Sequence, residues 1–275
     1  DDKNEAKAAL RAGKVDVLTL SPMWLADPGI EHFVDLAAEH NPNVRVTVQE
    51  FWLPNDEYDP TYPVSFSKKV DHNAPTFAEL RTRHEPYFKV MDEEILRLNR
   101  KLGKQVVFAV PVGQAVLALR EKVINGEAPD IKMQAELFLP GDRVGHPTAP
   151  IQLLEAYCHF AVIYRTSPVG LAPPGPGKND KKLFDAGLWT IDVGKPVLKR
   201  YKDAEQLNRL LQEIAWEAVT KHPLSGLDES QRKESGGMEQ TATKSPSERW
   251  EGEINAFEAR DKSHEGLAEL WLTLQ

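Results

Sequence analysis

Cysteine is almost absent from the 275-residue chain: Cys158 is alone, so no internal disulfide can form. A lone thiol is compatible with the cytosol and does not exclude export, so the compartment stays unknown. No run approaches the roughly 18 consecutive apolar residues that a membrane-spanning helix needs. The net charge of −8 argues against nucleic acid as a partner, because phosphate backbones are bound by clustered Lys and Arg.

The histidines lack the spacing of a metal site. Cys158 and His159 are adjacent in a predicted helix, where neighbouring side chains point apart, so a packed thiol and a core histidine are favoured over a ligand pair. Six further histidines show no ligand spacing with carboxylates or cysteine: His32, His40, His72, His84, His222 and His264. We therefore expect no metal and no cofactor.

Three short β-rich runs alternate with helical segments. Residues 15–20, 44–48 and 106–110 are predicted strands, and the third is wholly apolar, as expected when both faces of a sheet are covered. The first two strands enclose a helix that starts after Asp27, so they should be parallel with a right-handed crossover. This pattern predicts a three-layer αβα fold with a flavodoxin-like parallel sheet.

Composition divides the chain into three parts. Residues 1–222 are predicted to form the α/β domain, whose long loop at 53–75 is of a length that is usually functional or mobile. Residues 223–248, rich in Ser, Glu, Gly and Thr, are predicted to be a flexible linker. Residues 249–275 are predicted to be a terminal helical segment. The remaining predicted helices cover residues 5–12, 114–125, 150–164 and 203–221. A further long helix is predicted from about residue 76, with an irregularity near Pro86.

The loop before the helix predicted at 150–164 holds a carboxylate and an imidazole. Asp142 precedes His146 by four positions. A carboxylate at this distance can accept a hydrogen bond from Nδ1–H of the imidazole and leave Nε2 as an oriented general base. Taken alone, the spacing favours a surface loop with a solvated histidine, because Asp and His are common loop residues.

The order of these elements resembles the SGNH (GDSL-type) esterase superfamily. The resemblance covers about residues 14–221 and is carried by the Asp142–His146 loop at 137–146, the apolar helix at 157–164, the strand–helix–strand unit at 15–52 and the strand and helix at 105–125. It implies that His146 is the general base and Asp142 its orienting partner. The family spacing is Asp-x-x-His, whereas three residues intervene here.

Two parts of the family's machinery have no counterpart. No Gly-x-Ser turn occurs in the sequence, and the strand at 15–20 ends in Ser21-Pro22, with no Asn to donate to an oxyanion. Ser21 lies at a strand end, yet Pro22 has no N–H to offer, which favours a turn serine over a replacement nucleophile. The expectation is therefore a fold that is incomplete at its N-terminal side. The strand at 15–20 would then have an unpaired edge and an uncovered apolar face, which predicts either that another segment fills the place or that the chain is unstable, aggregation-prone or a homo-oligomer.

Polar and aromatic residues follow the second predicted strand. Gln49 and Glu50 could bind substrate hydroxyls, and Trp52 could stack on a sugar ring. Structural roles are equally open, namely an ion pair for Glu50 and a cover over the core for Trp52. We assign Gln49, Glu50, Trp52 and Ser21 to a candidate substrate pocket.

Two functions from different classes remain. The first is a serine ester hydrolase acting on a small-molecule or carbohydrate ester, with carbohydrate deacetylation as the reaction considered. The alternative is a non-catalytic α/β module that binds carbohydrate or a protein partner with the same surface.

Overall fold

The computed structural model describes residues 4–22, 27–53, 56, 70–140, 145–171 and 201–233. These residues form seven α-helices, three strands and one 3₁₀ helix: α1 (Glu5–Arg11), β1 (Val17–Leu20), α2 (Pro28–His40), β2 (Arg45–Gln49), α3 (Phe77–Leu102), β3 (Val107–Val110), α4 (Val112–Ile124), the 3₁₀ helix (Gln134–Leu137), α5 (Ala149–Tyr164), α6 (Ala204–Lys221) and α7 (Glu229–Lys233). Asp142 and residues 249–275 lie outside the described part of the chain.

The three strands form one parallel sheet in the order β1-β2-β3. Val46 and Val48 of β2 face one hydrophobic core, which also contains side chains of α1, α2 and α3. A second core contains side chains of α4, α5 and α6 together with Val110 of β3. Because alternate strand residues point to opposite faces, helices cover both faces of the sheet. The predicted parallel α/β architecture is confirmed, and the arrangement is compatible with three αβα layers.

The helix boundaries follow from local sequence. Asp27 caps α2 by accepting a hydrogen bond from the Gly29 N–H at 2.8 Å, and Pro28 occupies the first turn. Thr76 and Glu79 form a reciprocal capping box that starts α3. The irregularity expected near Pro86 is absent. Pro86 is exposed in a continuous α3, where solvent offsets the lost helical hydrogen bond.

The outer edge of β1 has no strand partner among the described residues. β1 pairs with β2 alone, in the register Val17↔Arg45, and Val17 is 40% exposed. Leu18 is buried in the core that contains α2 and α3. Within the described ranges, β1 is therefore covered on that face and has no strand partner along its outer edge.

The chain after α6 packs against the sheet. The Leu224 carbonyl accepts a hydrogen bond from the Ala109 N–H of β3 at 2.9 Å, and Ser225 is fully buried. Arg232 of α7 donates to the carbonyls of Thr220 and His222. The start of the predicted linker at 223–248 is thus packed structure as far as Lys233, the last residue described there.

One glycine controls how closely α4 approaches β2. A Cβ on Gly113 would lie 2.5 Å from the Phe51 carbonyl oxygen and 2.7 Å from the Phe88 ring. The Gly113 N–H donates to the Glu50 carbonyl at 2.8 Å, which brings the start of α4 onto the end of β2. In the described part of the chain, no helix is long and apolar enough to cross a membrane.

Candidate functional site

Two side chains of the predicted pocket meet at the ends of β1 and β2. The Ser21 hydroxyl donates to Gln49 Oε1 at 3.2 Å, and His159 of α5 donates to the same oxygen from Nε2 at 2.9 Å. Glu155, one helical turn before His159, lies beside Gln49. We call Ser21, Gln49, Glu155 and His159 the sheet-face cluster.

Burial shifts the proton equilibria of the sheet-face cluster toward neutral forms. It raises the pKa of Glu155 to about 7, against a smaller opposing effect of Gln49. It lowers the pKa of His159 to about 4. Because Nε2 holds the ring proton, Nδ1 of His159 is a buried acceptor without a partner. The cluster therefore combines a neutral base with a carboxyl group whose pKa lies near neutrality.

Glu50 points to the opposite face of the sheet from Gln49 and enters a second polar cluster. His222 Nε2 lies 3.4 Å from Glu50 Oε2 and 3.5 Å from Asp92 Oδ1 of α3. Gln114 of α4 donates to Glu50 Oε2. Glu50 is fully buried, and the Asp92 side chain is 33% exposed. We call Glu50, Asp92, Gln114 and His222 the β2-edge cluster.

Two carboxylates in close proximity dominate the electrostatics of the β2-edge cluster. Burial and the charge of Glu50 raise the pKa of Asp92 to about 6. Burial lowers the pKa of His222, but the interactions with Glu50 and Asp92 outweigh it and the net direction is upward. The Leu224 N–H donates to His222 Nδ1 at 3.2 Å, so the proton of the neutral ring is on Nε2, facing the carboxylates.

A third cluster is built around Asp56. Arg120 of α4 donates to both Asp56 oxygens, and His72 Nδ1 lies 3.1 Å from Oδ2. Gln134 accepts from Arg120 Nε at 2.8 Å and donates to the Pro75 carbonyl. Burial raises the pKa of Asp56, but the hydrogen bonds from His72 and Arg120 outweigh it and hold the pKa below its usual value. We call Asp56, His72, Arg120 and Gln134 the arginine cluster.

The loop before α5 has a fixed backbone and an exposed histidine. The Leu139 N–H donates to the His146 carbonyl at 2.9 Å, and the Thr148 N–H donates to the Leu137 carbonyl at 2.8 Å. The side chain of His146 is exposed. Its predicted partner Asp142 lies outside the described residues, so their pairing stays a prediction.

Trp52 connects that loop to the end of β2. Its ring is buried, stacks on Phe51 with centroids 4.1 Å apart, and donates from Nε1 to the Gly145 carbonyl at 3.1 Å. The four residues of the predicted pocket therefore do not lie in one place. Ser21 and Gln49 lie together, Glu50 lies on the other face, and Trp52 is in the core beside His146.

Sequence reasoning did not include Asp92, Gln114 and His222 in a site. Asp92 offered one signal, because it lies on the buried side of α3 between Phe88 and Ile95. A carboxylate within an apolar stripe needs a partner in the fold. His222 offered a weaker signal, since it ends α6 directly before a proline.

Comparison with protein-family models, with curated proteins and with solved structures found no match in any of the three. The functional argument therefore rests on the chemistry of the residues themselves.

Proposed function

We propose that this chain carries the acid–base pair of a serine ester hydrolase of the SGNH type. His146 would act as general base, and Asp142 would fix its orientation. The observation that carries the proposal is the hydrogen bond from Trp52 to Gly145, which ties the residue next to His146 to the carboxyl end of β2. Ligands of open parallel sheets bind at that end of the strands.

The setting of His146 supports a chemical role. Backbone hydrogen bonds at the His146 carbonyl and at the Thr148 N–H hold this part of the main chain while the His146 side chain reaches solvent. A general base needs this combination of a fixed position and access to substrate. The parallel order β1-β2-β3 also supports the proposal, because adjacent parallel strands with helices on both faces are what the SGNH architecture requires.

The reaction has two steps in this class of enzyme. The histidine takes the proton of a serine hydroxyl as the serine attacks the ester carbonyl, and the alcohol leaves with that proton. Water then hydrolyses the acyl-enzyme with help from the same histidine. Since the 275 residues contain no Gly-x-Ser turn, the serine would come from another segment, and the edge of β1 that has no strand partner among the described residues would accommodate it.

The test measures p-nitrophenyl acetate hydrolysis by this chain and by the product of the complete reading frame that encodes it. We expect turnover in at least one form and a loss of a hundredfold or more in His146→Ala. His40→Ala is the matched control, because His40 is an exposed histidine at the end of α2. Inert protein in both forms, or full activity in His146→Ala, would favour the non-catalytic α/β module that binds carbohydrate or protein.

A further inference from the structure

We infer that the β2-edge cluster binds a divalent transition-metal ion of the Zn²⁺ type, with Glu50, Asp92 and His222 as its ligands. This site does not include His146, and the inference does not depend on the proposed ester hydrolysis. It also departs from the expectation drawn from histidine spacing, because its ligands come from three distant parts of the chain.

The distances within the cluster match the ligand shell of a small cation. Neighbouring ligands of a tetrahedral ion with bonds of about 2.0–2.1 Å lie about 3.3–3.4 Å apart. His222 Nε2 is 3.4 Å from Glu50 Oε2 and 3.5 Å from Asp92 Oδ1. The three ligand atoms all lie within 4.8 Å of one another. The two distances from His222 Nε2 are too long for strong hydrogen bonds and short enough for the atoms to share one ion.

The cluster has more buried acceptors than donors. Glu50 is fully buried, yet its Oε1 has no hydrogen-bond partner. Asp92 Oδ1 and Gln114 Oε1 are also buried without partners. Unpaired acceptors inside a protein are costly, and buried charges are normally paired or coordinate metals. A divalent cation would supply what these oxygens lack and would neutralise both carboxylates.

The surroundings hold the ligands in position. Gln114 binds the Glu50 carboxylate, as partners behind a ligand do in metal sites. The His222 carbonyl accepts hydrogen bonds from Arg232 at 3.0 Å and from the Ser225 hydroxyl at 3.0 Å. These bonds fix the main chain that carries the imidazole. The partly exposed Asp92 gives an ion access from solvent. Three protein ligands leave one position for water or a further ligand.

Metal binding at Nε2 has a chemical signature in His222. Nε2 must lose its proton to bind the ion, and in a neutral metal-bound ring the proton is on Nδ1. The Leu224 N–H now donates to Nδ1, so this hydrogen bond must open when the ion enters. The site therefore binds metal at the expense of one backbone contact.

The experiment titrates tag-free, chelator-treated chain with ZnCl₂ in a calorimeter. We expect one saturable site, weakened tenfold or more in Asp92→Asn and in His222→Gln. Asp35→Asn and His40→Gln, which change exposed residues of α2, should bind as the parent does. Asp92→Asn is the deciding variant, because its side chain is partly exposed and circular dichroism can verify that the variant stays folded.

A second readout follows the imidazole directly. In ¹H–¹⁵N spectra, Zn²⁺ should move the His222 ring proton from Nε2 to Nδ1 and shift the Leu224 amide. The inference is overturned if no saturable binding occurs, if binding is unchanged in Asp92→Asn and His222→Gln, or if the His222 ring does not respond. Any of these results would mean that the β2-edge cluster is not a metal site.

Discussion

The arginine cluster and the β2-edge cluster are built from the same kinds of residue and differ in how completely they are paired. Each combines a buried carboxylate with a histidine and a glutamine, and each takes one side chain from α4. Asp56 accepts three hydrogen bonds from Arg120 and His72, whereas Glu50 and Asp92 each keep an oxygen without a partner. Complete hydrogen bonding of buried polar groups is typical of a structural role. Incomplete hydrogen bonding is typical of a ligand site.

Removing the cation from the paired cluster should have the largest effect on stability. Arg120→Met leaves the buried Asp56 without its cation, and we expect a loss of about 3–5 kcal/mol in the free energy of unfolding. Urea titration followed by circular dichroism measures it. Arg97→Met, which breaks an exposed ion pair, is the control and should leave the midpoint nearly unchanged. A loss below about 1 kcal/mol would contradict the structural role of the arginine cluster.

Acid should weaken the region next to the arginine cluster through His84. His84 accepts from the Leu53 N–H and donates to the Leu80 carbonyl, and burial lowers its pKa from 6.5 to about 4. The unfolded chain therefore binds the proton first, and this stability is present above pH 6.5 and lost as the pH falls toward 4. From pH 7.5 to 5 the parent should lose about 2 kcal/mol more than His84→Gln. Equal pH dependence of the two proteins would show that His84 titrates normally.

Neutralising one carboxylate of the β2-edge cluster should raise the free energy of unfolding. Without metal, Asp92→Asn removes one of two facing carboxylates and adds a donor, so we expect a gain on the order of 1 kcal/mol. The measurement is urea unfolding in the presence of a chelator. A loss comparable to that of Arg120→Met would mean that both clusters are structural.

The smallest effect should come from the surface ion pairs between α2 and α3. Glu31 accepts hydrogen bonds from Arg97 and Lys101, which lower its pKa to about 2 against a smaller opposing effect of burial. Since solvent and salt screen these charges, Glu31→Gln should shift the urea midpoint within experimental error. A clear shift would show that surface charges influence this fold as strongly as the buried clusters do.

Sequence patterns predicted the secondary structure well because the signals are local. The three strands are short β-rich runs, and each lies within two residues of its predicted bounds. A capping box between Thr76 and Glu79 marks the start of α3, and Gly103 ends the helix. Pro86 misled the prediction, because an exposed proline can be tolerated inside a long helix that packs along its other side.

The clusters could not be predicted in the same way, because they assemble residues that are distant in sequence. Glu50, Asp92, Gln114 and His222 come from the end of one strand, the middle of one helix, the start of another and the end of a third. No spacing rule connects such positions, and a single sequence contains no record of which residues meet. Asp92 was the member of the β2-edge cluster that the sequence marked most clearly, because it is a carboxylate on the apolar side of α3.

The close approach at Gly113 links the chemistry of the two compared regions. α4 carries Gln114 near its start and Arg120 two turns later, so the seating of one helix on the Glu50–Phe51 peptide sets the position of a donor in each cluster. A methyl group at position 113 would push α4 away from β2 and displace Gln114 and Arg120 together. The absence of a side chain at Gly113 therefore determines the geometry of both clusters.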